Sequence, residues 1–109
     1  MAVIGVDLGG TKVAAALYDQ SGKMHSKEVK LLNGAEGDAV GQLVVDVINI
    51  LIANNPNIAI EAIGVCVPGI VYSKRDTVWA PNIPGWDNYP LKQRIKDGVN
   101  RPELTVCIE

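Results

Sequence analysis

The sequence predicts an α/β domain built on a mixed sheet, with three leading antiparallel strands and helices packed against them. Three segments with the hydrophobic pattern of strands open the chain between residues 2 and 32, separated by turn-forming residues. A long segment with helical periodicity follows, and after it comes another apolar, β-branched segment. The chain has 109 residues, which is enough for one hydrophobic core, so a single domain is expected.

The first three elements are strands. The apolar run over residues 2–6 predicts a short central strand that is buried on both faces. Small, β-branched and apolar residues from 12 to 18 predict a second strand, which ends at the turn formers of residues 19–22. Residues 23–32 alternate between polar and apolar side chains, which indicates a third strand with one solvent-facing side.

The first helix is predicted from an apolar stripe that ends before Pro56. Asn33 and Glu36 are spaced like the two residues of a capping box, so the helix is expected to start there. Asp38 and Asp46 are assigned to its solvent face. The stripe that would pack on the sheet comprises Val40, Leu43, Val44, Val47 and Leu51.

The second half of the chain predicts a buried strand over 62–67 and a small hairpin formed by 70–72 and 77–79. A proline-rich loop follows the hairpin. A short amphipathic helix over 91–99 and a last strand over 104–108 complete the domain.

Composition excludes several classes of function. The chain has ten Lys and Arg against twelve Asp and Glu, so it lacks the excess positive charge of a nucleic-acid-binding protein. The apolar run after Met1 is far shorter than the roughly 20 residues of a membrane span, and no charged leader precedes it. These features predict a cytoplasmic protein with no membrane partner. Cys66 and Cys107 lie in apolar strand-like runs and are expected to be buried thiols.

The segment from Asp7 to Lys12 suits phosphate binding. Gly9 and Gly10 allow a ligand to approach the backbone closely, and successive N–H groups can then point at phosphate oxygens. Thr11 adds a hydroxyl donor and Lys12 adds a positive charge. Asp7 could hold a hydrated Mg²⁺ that bridges to the phosphates, because this ion takes oxygen ligands and keeps several waters.

Two common phosphate motifs are excluded. Thr and Lys occur in the wrong order for a P-loop, and the segment that follows is predicted to be a strand rather than a helix. The sequence also contains no G-x-G-x-x-G. The alternative interpretation is an ordinary hairpin turn that contains two glycines.

Three blocks of sequence, over residues 4–12, 63–69 and 80–86, together resemble the ROK family. This family comprises bacterial sugar kinases and sugar-responsive repressors with the actin-like, ribonuclease-H-like ATPase fold. The resemblance covers essentially the whole chain. It implies that residues 1–109 form the N-terminal lobe of such a protein.

The resemblance further implies ATP-dependent transfer of the γ-phosphoryl group to a hydroxyl of a hexose or amino-hexose. ATP phosphates would lie on Gly9, Gly10, Thr11 and Lys12, with Mg²⁺ held by Asp7 through water.

The sugar would contact Gly69 and Asn82. An amide side chain offers both a donor and an acceptor to sugar hydroxyls, although Asn82 could instead bond its own loop. Trp79 and Trp86 could either line the sugar site, for example by stacking on the sugar, or pack the loop against the domain.

Several parts of a kinase site are expected outside this chain, because members of the family are roughly three times as long. Glu109 matches the first residue of a Glu-Asn-Asp-Ala-Asn sequence whose Asp accepts the proton of the attacking hydroxyl. The general base and the zinc ligands would follow Glu109, so no catalytic residue and no zinc site are assigned here. The 109 residues alone are therefore expected to be inactive.

Two rival hypotheses are open. The resemblance also fits the sugar-sensing domain of a ROK repressor, although repressors place a helix-turn-helix before the first strand and here Met1 lies directly at it. The intact set of Asp7 and the glycine turn also favours the kinase. A free-standing binding module is the third interpretation. Family members are often homodimers, so the parent is expected to be one, and the identity of the sugar stays undetermined.

Overall fold

The structure is a computed structural model that describes residues 1–109. In chain order its elements are β1 (Ala2–Leu8), β2 (Lys12–Tyr18), β3 (Met24–Leu31), α1 (Asp38–Asn54), β4 (Ile60–Cys66), β5 (Ile70–Tyr72), β6 (Thr77–Trp79), α2 (Leu91–Val99) and β7 (Thr105–Ile108). Every predicted strand and helix is present, with ends that differ by a few residues.

The main sheet has the strand order β3-β2-β1-β4-β7, and β5 and β6 form a separate two-stranded hairpin. β1 pairs antiparallel with β2, and β2 pairs antiparallel with β3. β1 also pairs in parallel with β4, which pairs in parallel with β7. The parallel pairs need long crossover connections, and these contain the two helices. The prediction of a mixed α/β sheet with three leading antiparallel strands is confirmed.

Both helices pack on one face of the main sheet and form the core with it. The predicted stripe of α1 is buried, with Leu43 half-buried at its margin. Neither helix is long and apolar enough to cross a membrane. The strand side chains that face the helices include Ile4, Val6, Val13, Leu17, Ile63, Val65 and Val106.

The opposite face of the sheet is open, which corrects the prediction that the first strand is buried on both faces. Val3 is 38% exposed, and Asp7 is also exposed. Because side chains alternate along a strand, every second residue of β1 faces this open side. One register row of small residues crosses the open face and comprises Ala16, Gly5, Gly64 and Cys107.

The prediction that both cysteines are buried is wrong. Cys66 and Cys107 are free thiols and both are exposed. In β4 and β7 the helix-facing positions belong to Val65 and Val106, which are buried, so the neighbouring cysteines face the open side.

The predicted start of α1 is also wrong. α1 begins at Asp38, and no side-chain hydrogen bond caps it. Asn33 has a φ of 51° and lies in a turn that precedes the helix. Gly37 has a φ of 54°, and its N–H donates a hydrogen bond to the carbonyl of Pro84 over 2.8 Å. The backbone of a distant loop therefore replaces the expected cap.

That loop, over residues 80–90, docks on the start of α1 through Trp86. Trp86 is 1% exposed, and its indole N–H donates to the Gly37 carbonyl over 2.8 Å. Gly85, with a φ of 87°, lets the loop backbone approach Gly37, where an added Cβ would lie 3.1 Å from the Gly37 Cα. The loop and the helix start therefore meet backbone against backbone.

Tyr89 extends this contact. Its ring stacks on Trp86 with centroids 4.3 Å apart and planes 12° apart. Its hydroxyl donates to Asp38 Oδ1 over 2.6 Å, and Arg94 Nε donates to the same oxygen over 3.0 Å. Asp38 is exposed, as predicted for the solvent face of the helix, and its carboxylate also joins α1 to the loop and to α2. We call Trp86, Tyr89, Asp38 and Gly37 the loop anchor.

We expect Gly41→Ala to destabilise the fold by about 2 kcal/mol, measured by urea denaturation. In an unobstructed helix interior the same change stabilises by roughly 1 kcal/mol. Here the new Cβ would overlap the Tyr89 hydroxyl and lie 2.7 Å from the ring carbon that bears it. Gly64→Ala is the matched control, because a Cβ there meets nothing within 4 Å. Stabilisation by Gly41→Ala would contradict the observed packing of Tyr89.

Asp38→Asn should destabilise the chain near neutral pH and much less at about pH 3. The Tyr89 hydroxyl, and after it Arg94, lower the pKa of Asp38 below its ordinary value. The carboxylate therefore stabilises the folded state above the unfolded pKa of about 3.9, and this is lost as the pH falls through the folded-state pKa. Thermal midpoints at the two pH values measure it.

Asp46→Asn is the matched control on the same helix, since Asp46 accepts its hydrogen bond from Gln42 one turn earlier. An equal midpoint difference between wild type and Asp38→Asn at both pH values would show that ionisation of Asp38 adds nothing.

Candidate functional site

The glycine turn joins β1 to β2 and presents two free amides. The N–H of Gly9 donates to the carbonyl of Lys12 over 2.9 Å and closes the hairpin. The N–H groups of Gly10 and Thr11 donate no hydrogen bond within the chain, and both residues are exposed. The Gly9 amide thus closes the hairpin as in an ordinary turn, whereas the amides of Gly10 and Thr11 are free to donate to a ligand.

Neither glycine of the turn is required by the chain's own packing. Gly9 and Gly10 have no positive φ. A Cβ at Gly9 would lie 3.5 Å from the Lys12 carbonyl oxygen, and one at Gly10 would lie 3.6 Å from the Asn82 Cβ, which are ordinary contacts. Glycine is costly in conformational entropy, so its use here is explained best by the close approach of something outside the chain.

Asp7 and Lys12 flank the turn and are both exposed. Asp7 lies opposite Ala14 on β2 and Cys66 on β4. Neither Asp7 nor Lys12 takes part in a salt bridge. No group of three or more His, Cys, Asp or Glu side chains is placed to hold a metal ion. A cation at Asp7 would therefore take its other oxygens from water or from a bound anion.

Asn82 lies beside the glycine turn, since a Cβ added at Gly10 would be 3.6 Å from the Asn82 Cβ. The side chain is exposed and makes no hydrogen bond to its own loop, so the alternative in which it ties that loop together is not what the structure has. Its amide donors and carbonyl acceptor are free for a ligand. The structure thus brings together two candidate binding elements that lie more than seventy residues apart in sequence.

Gly69 has a packing role that sequence analysis missed. A Cβ at this position would overlap the Trp79 carbonyl oxygen and lie 2.9 Å from the Ala80 Cα. Glycine is needed here because the Pro68-Gly69 turn passes directly over the end of β6. Only the backbone of Gly69 is available to a ligand, and its N–H makes no hydrogen bond within the chain.

The two tryptophans differ in environment. Trp86 is buried in the loop anchor, so it packs the loop. Trp79 is 36% exposed and pairs with the exposed Ile70 across the small hairpin.

The candidate elements gather at the edge of the sheet where the parallel strands β1, β4 and β7 end. Pairing there extends to Glu109, whose N–H donates to Val65 and whose carbonyl accepts from Val67. Ligands commonly bind outside the carboxyl ends of parallel strands in α/β proteins. The chemistry on offer is two amides, a hydroxyl and an ammonium for an anion, and an amide side chain for hydroxyl groups.

The family model described as "ROK family" matches residues 3–106. The chain belongs to the ROK family. Two curated relatives represent two functions. A glucokinase from Streptomyces coelicolor is 33% identical over 100 residues, which cover 91% of this chain and 30% of that protein. A xylose repressor from Bacillus subtilis is 26% identical over 101 residues, which cover 91% of this chain and 26% of that protein.

Solved ROK structures match the whole chain. A ROK hexokinase from Thermus thermophilus superposes with a TM-score of 0.85 at 30% identity, covering 100% of this chain and 35% of that one. A ROK family glucokinase from Streptomyces griseus, solved with glucose and AMPPNP, superposes with a TM-score of 0.77 at 34% identity, covering 100% and 33%. The predicted actin-like ATPase fold is confirmed. The chain spans about a third of the length of these ROK proteins.

We expect tripolyphosphate with Mg²⁺ to shift the amide signals of Gly10 and Thr11 in an NMR titration of the 109-residue chain. Both N–H groups lack a partner and are exposed, so an anion can accept from them. Gly22, which lies in the β2–β3 turn, is the control within the same spectrum. Shifts at Gly10 and Thr11 no larger than the shift at Gly22 would contradict an anion site at this turn.

Proposed function

We propose that this chain is the N-terminal lobe of an ATP-dependent sugar kinase that phosphorylates a hydroxyl of a hexose. One observation carries the proposal most directly. The free amides of Gly10 and Thr11 lie beside the free side chain of Asn82, so an anion and a polyhydroxyl ligand would meet on one lobe. Membership of the ROK family and similarity to a glucokinase support the same reaction class.

In this proposal the glycine turn holds the phosphates of ATP. The amides of Gly10 and Thr11 donate to phosphate oxygens, the Thr11 hydroxyl adds a donor, and Lys12 adds positive charge. The absence of a Cβ at Gly9 and Gly10 leaves room for the phosphates. Asp7 would hold Mg²⁺ through water, and this ion would neutralise charge on the phosphates.

The sugar would lie beside the glycine turn, on the side of Asn82. Asn82 would accept from one sugar hydroxyl and donate to another. Gly69 would contribute through its backbone, because its packing against Trp79 leaves no room for a side chain. Because neighbouring backbone segments would hold both substrates, part of the entropic cost of bringing them together would be met on binding, before the reaction.

The remaining parts of the site belong to chain beyond Glu109 in this proposal. They are the general base, the adenosine pocket and the zinc ligands of a homodimeric, cytoplasmic parent. Phosphoryl transfer depends on metal, loops and base acting together, so the lobe alone would give no turnover at kinase rates.

The second candidate is the sugar-sensing domain of a ROK repressor, which the similarity to a xylose repressor favours. A sensor needs the sugar contact at Asn82 but has no need of free phosphate donors at the glycine turn. Loss of function on changing the turn therefore separates the two candidates.

The full-length protein that contains this chain should phosphorylate glucose, or a related hexose, in a coupled assay with ATP and Mg²⁺. Asn82→Ala should raise the KM for the sugar by roughly 10- to 100-fold with a small effect on the KM for ATP. Lys12→Gln should raise the KM for ATP or lower kcat by a similar factor. The 109-residue chain alone should give no turnover.

Lys27→Gln is the control for charge, because Lys27 is an exposed lysine in the middle of β3. Sugar binding without phosphorylation, unaffected by Lys12→Gln, would identify a sensor. Turnover by the isolated chain at ordinary kinase rates would overturn the assignment of these residues to one lobe.

A further inference from the structure

We propose that the loop anchor positions Asn82 for the sugar, with Tyr89 and Trp86 acting as positioning residues rather than as ligands. This inference rests on the proposed function, in which Asn82 contacts the sugar. It adds residues that touch neither substrate but decide where the contact lies.

Backbone hydrogen bonds close the loop at its base. Tyr89 and Val78 exchange both backbone hydrogen bonds, at 2.8 and 3.0 Å. The N–H of Ala80 donates to the carbonyl of Trp86 over 2.8 Å, and a turn from Ala80 to Ile83 encloses Asn82. Asn82 is therefore held on a short closed segment whose geometry follows that of Trp86.

Asn82 itself has no bond that would hold it in place. Its side chain is free, and its neighbours along the loop are anchored instead: Ala80 and Ile83 are each 2% exposed and Trp86 is 1% exposed. The loop is fixed through these buried residues, while the ligand-facing residue stays exposed. A change at the anchor is therefore transmitted to Asn82 through the backbone.

The anchor fixes the loop to the start of α1. Gly37 uses both of its backbone groups there, the N–H to Pro84 and the carbonyl to the Trp86 indole. Tyr89 holds the indole from the other side by stacking, and its hydroxyl is directed at Asp38. Burial, and then the hydrogen bond to Asp38, raises the pKa of Tyr89, so the hydroxyl keeps its proton and donates.

The position that results places Asn82 beside the glycine turn. A Cβ added at Gly10 would lie 3.6 Å from the Asn82 Cβ, so the space between the two residues is close to the size of one methyl group. A displacement of about 1 Å would therefore change the width of this space by a large fraction. A misplacement of this size costs up to roughly 100-fold in rate even when the mutation that causes it lies far from the chemistry. The anchor should therefore affect sugar binding more than ATP binding.

The test compares Tyr89→Phe with Tyr72→Phe. The first removes the hydroxyl that donates to Asp38 and keeps the stacked ring. The second removes a tyrosine hydroxyl on the small hairpin, where the ring lies under Arg75. In the full-length protein, Tyr89→Phe should raise the KM for the sugar by roughly 5- to 20-fold and leave the KM for ATP within twofold. Tyr72→Phe should change neither.

A second measurement uses the 109-residue chain and needs no activity. Tyr89→Phe should shift the NMR signals of the Asn82 side-chain amide and of the Gly10 N–H, whereas Tyr72→Phe should leave them in place. Trp86→Phe, which keeps an aromatic ring but removes the donor to Gly37, should shift the same two signals further. Unchanged signals at Asn82 in both anchor variants would overturn the proposal.

These outcomes separate the inference from the proposed function. If Asn82→Ala leaves the KM for the sugar unchanged, the sugar contact is wrong, while the NMR shifts still test whether the anchor positions Asn82. If Asn82→Ala raises that KM and Tyr89→Phe raises the KM for sugar and ATP equally, the anchor has only a general structural role and the inference is wrong.

Discussion

The hydrogen bond from the Trp86 indole to the Gly37 carbonyl joins segments 49 residues apart, and the arrangement of the candidate site depends on it. It lies where α1 begins without a side-chain cap. The loop supplies what the local sequence does not, since Pro84 accepts the Gly37 N–H and Trp86 donates to its carbonyl. Buried backbone groups need partners, so the helix start and the loop each satisfy the other.

This mutual dependence has a consequence for the site. Asn82 carries no hydrogen bond of its own, and the turn amides at Gly10 and Thr11 carry none either. Groups that are left free for ligands cannot hold themselves in position. In the structure these groups lie next to residues that are held firmly: the paired strands β1 and β2 on one side and the loop anchor, with its buried Trp86, on the other. Phosphoryl transfer, the reaction proposed above, depends largely on how its reactants are positioned, so preorganised groups of this kind would favour it.

The strands and helices could be predicted from the sequence, but the burial of individual side chains was predicted less well. The span of β2 and of the small hairpin follows from turn residues and from β-branched segments. Cys66 and Cys107 were misassigned because an apolar run does not indicate which of its alternating side chains meets the helices. Asn33 and Glu36 have the spacing of a capping box, but α1 begins at Asp38. The Gly37 N–H just before it donates to the distant Pro84 carbonyl, a contact that local spacing does not indicate.

The sequence by itself determined the order of strands and helices, the glycine turn with its flanking Asp7 and Lys12, and the resemblance to the ROK family, because these depend on local spacing. Only the tertiary structure decided that Asn82 lies beside Gly10, that Gly69 is needed for packing, and that Trp86 and Tyr89 form an anchor. Each of these contacts joins residues that are distant in sequence or packed by a different element. Their physical basis is close packing and hydrogen bonding in three dimensions, which no local pattern encodes.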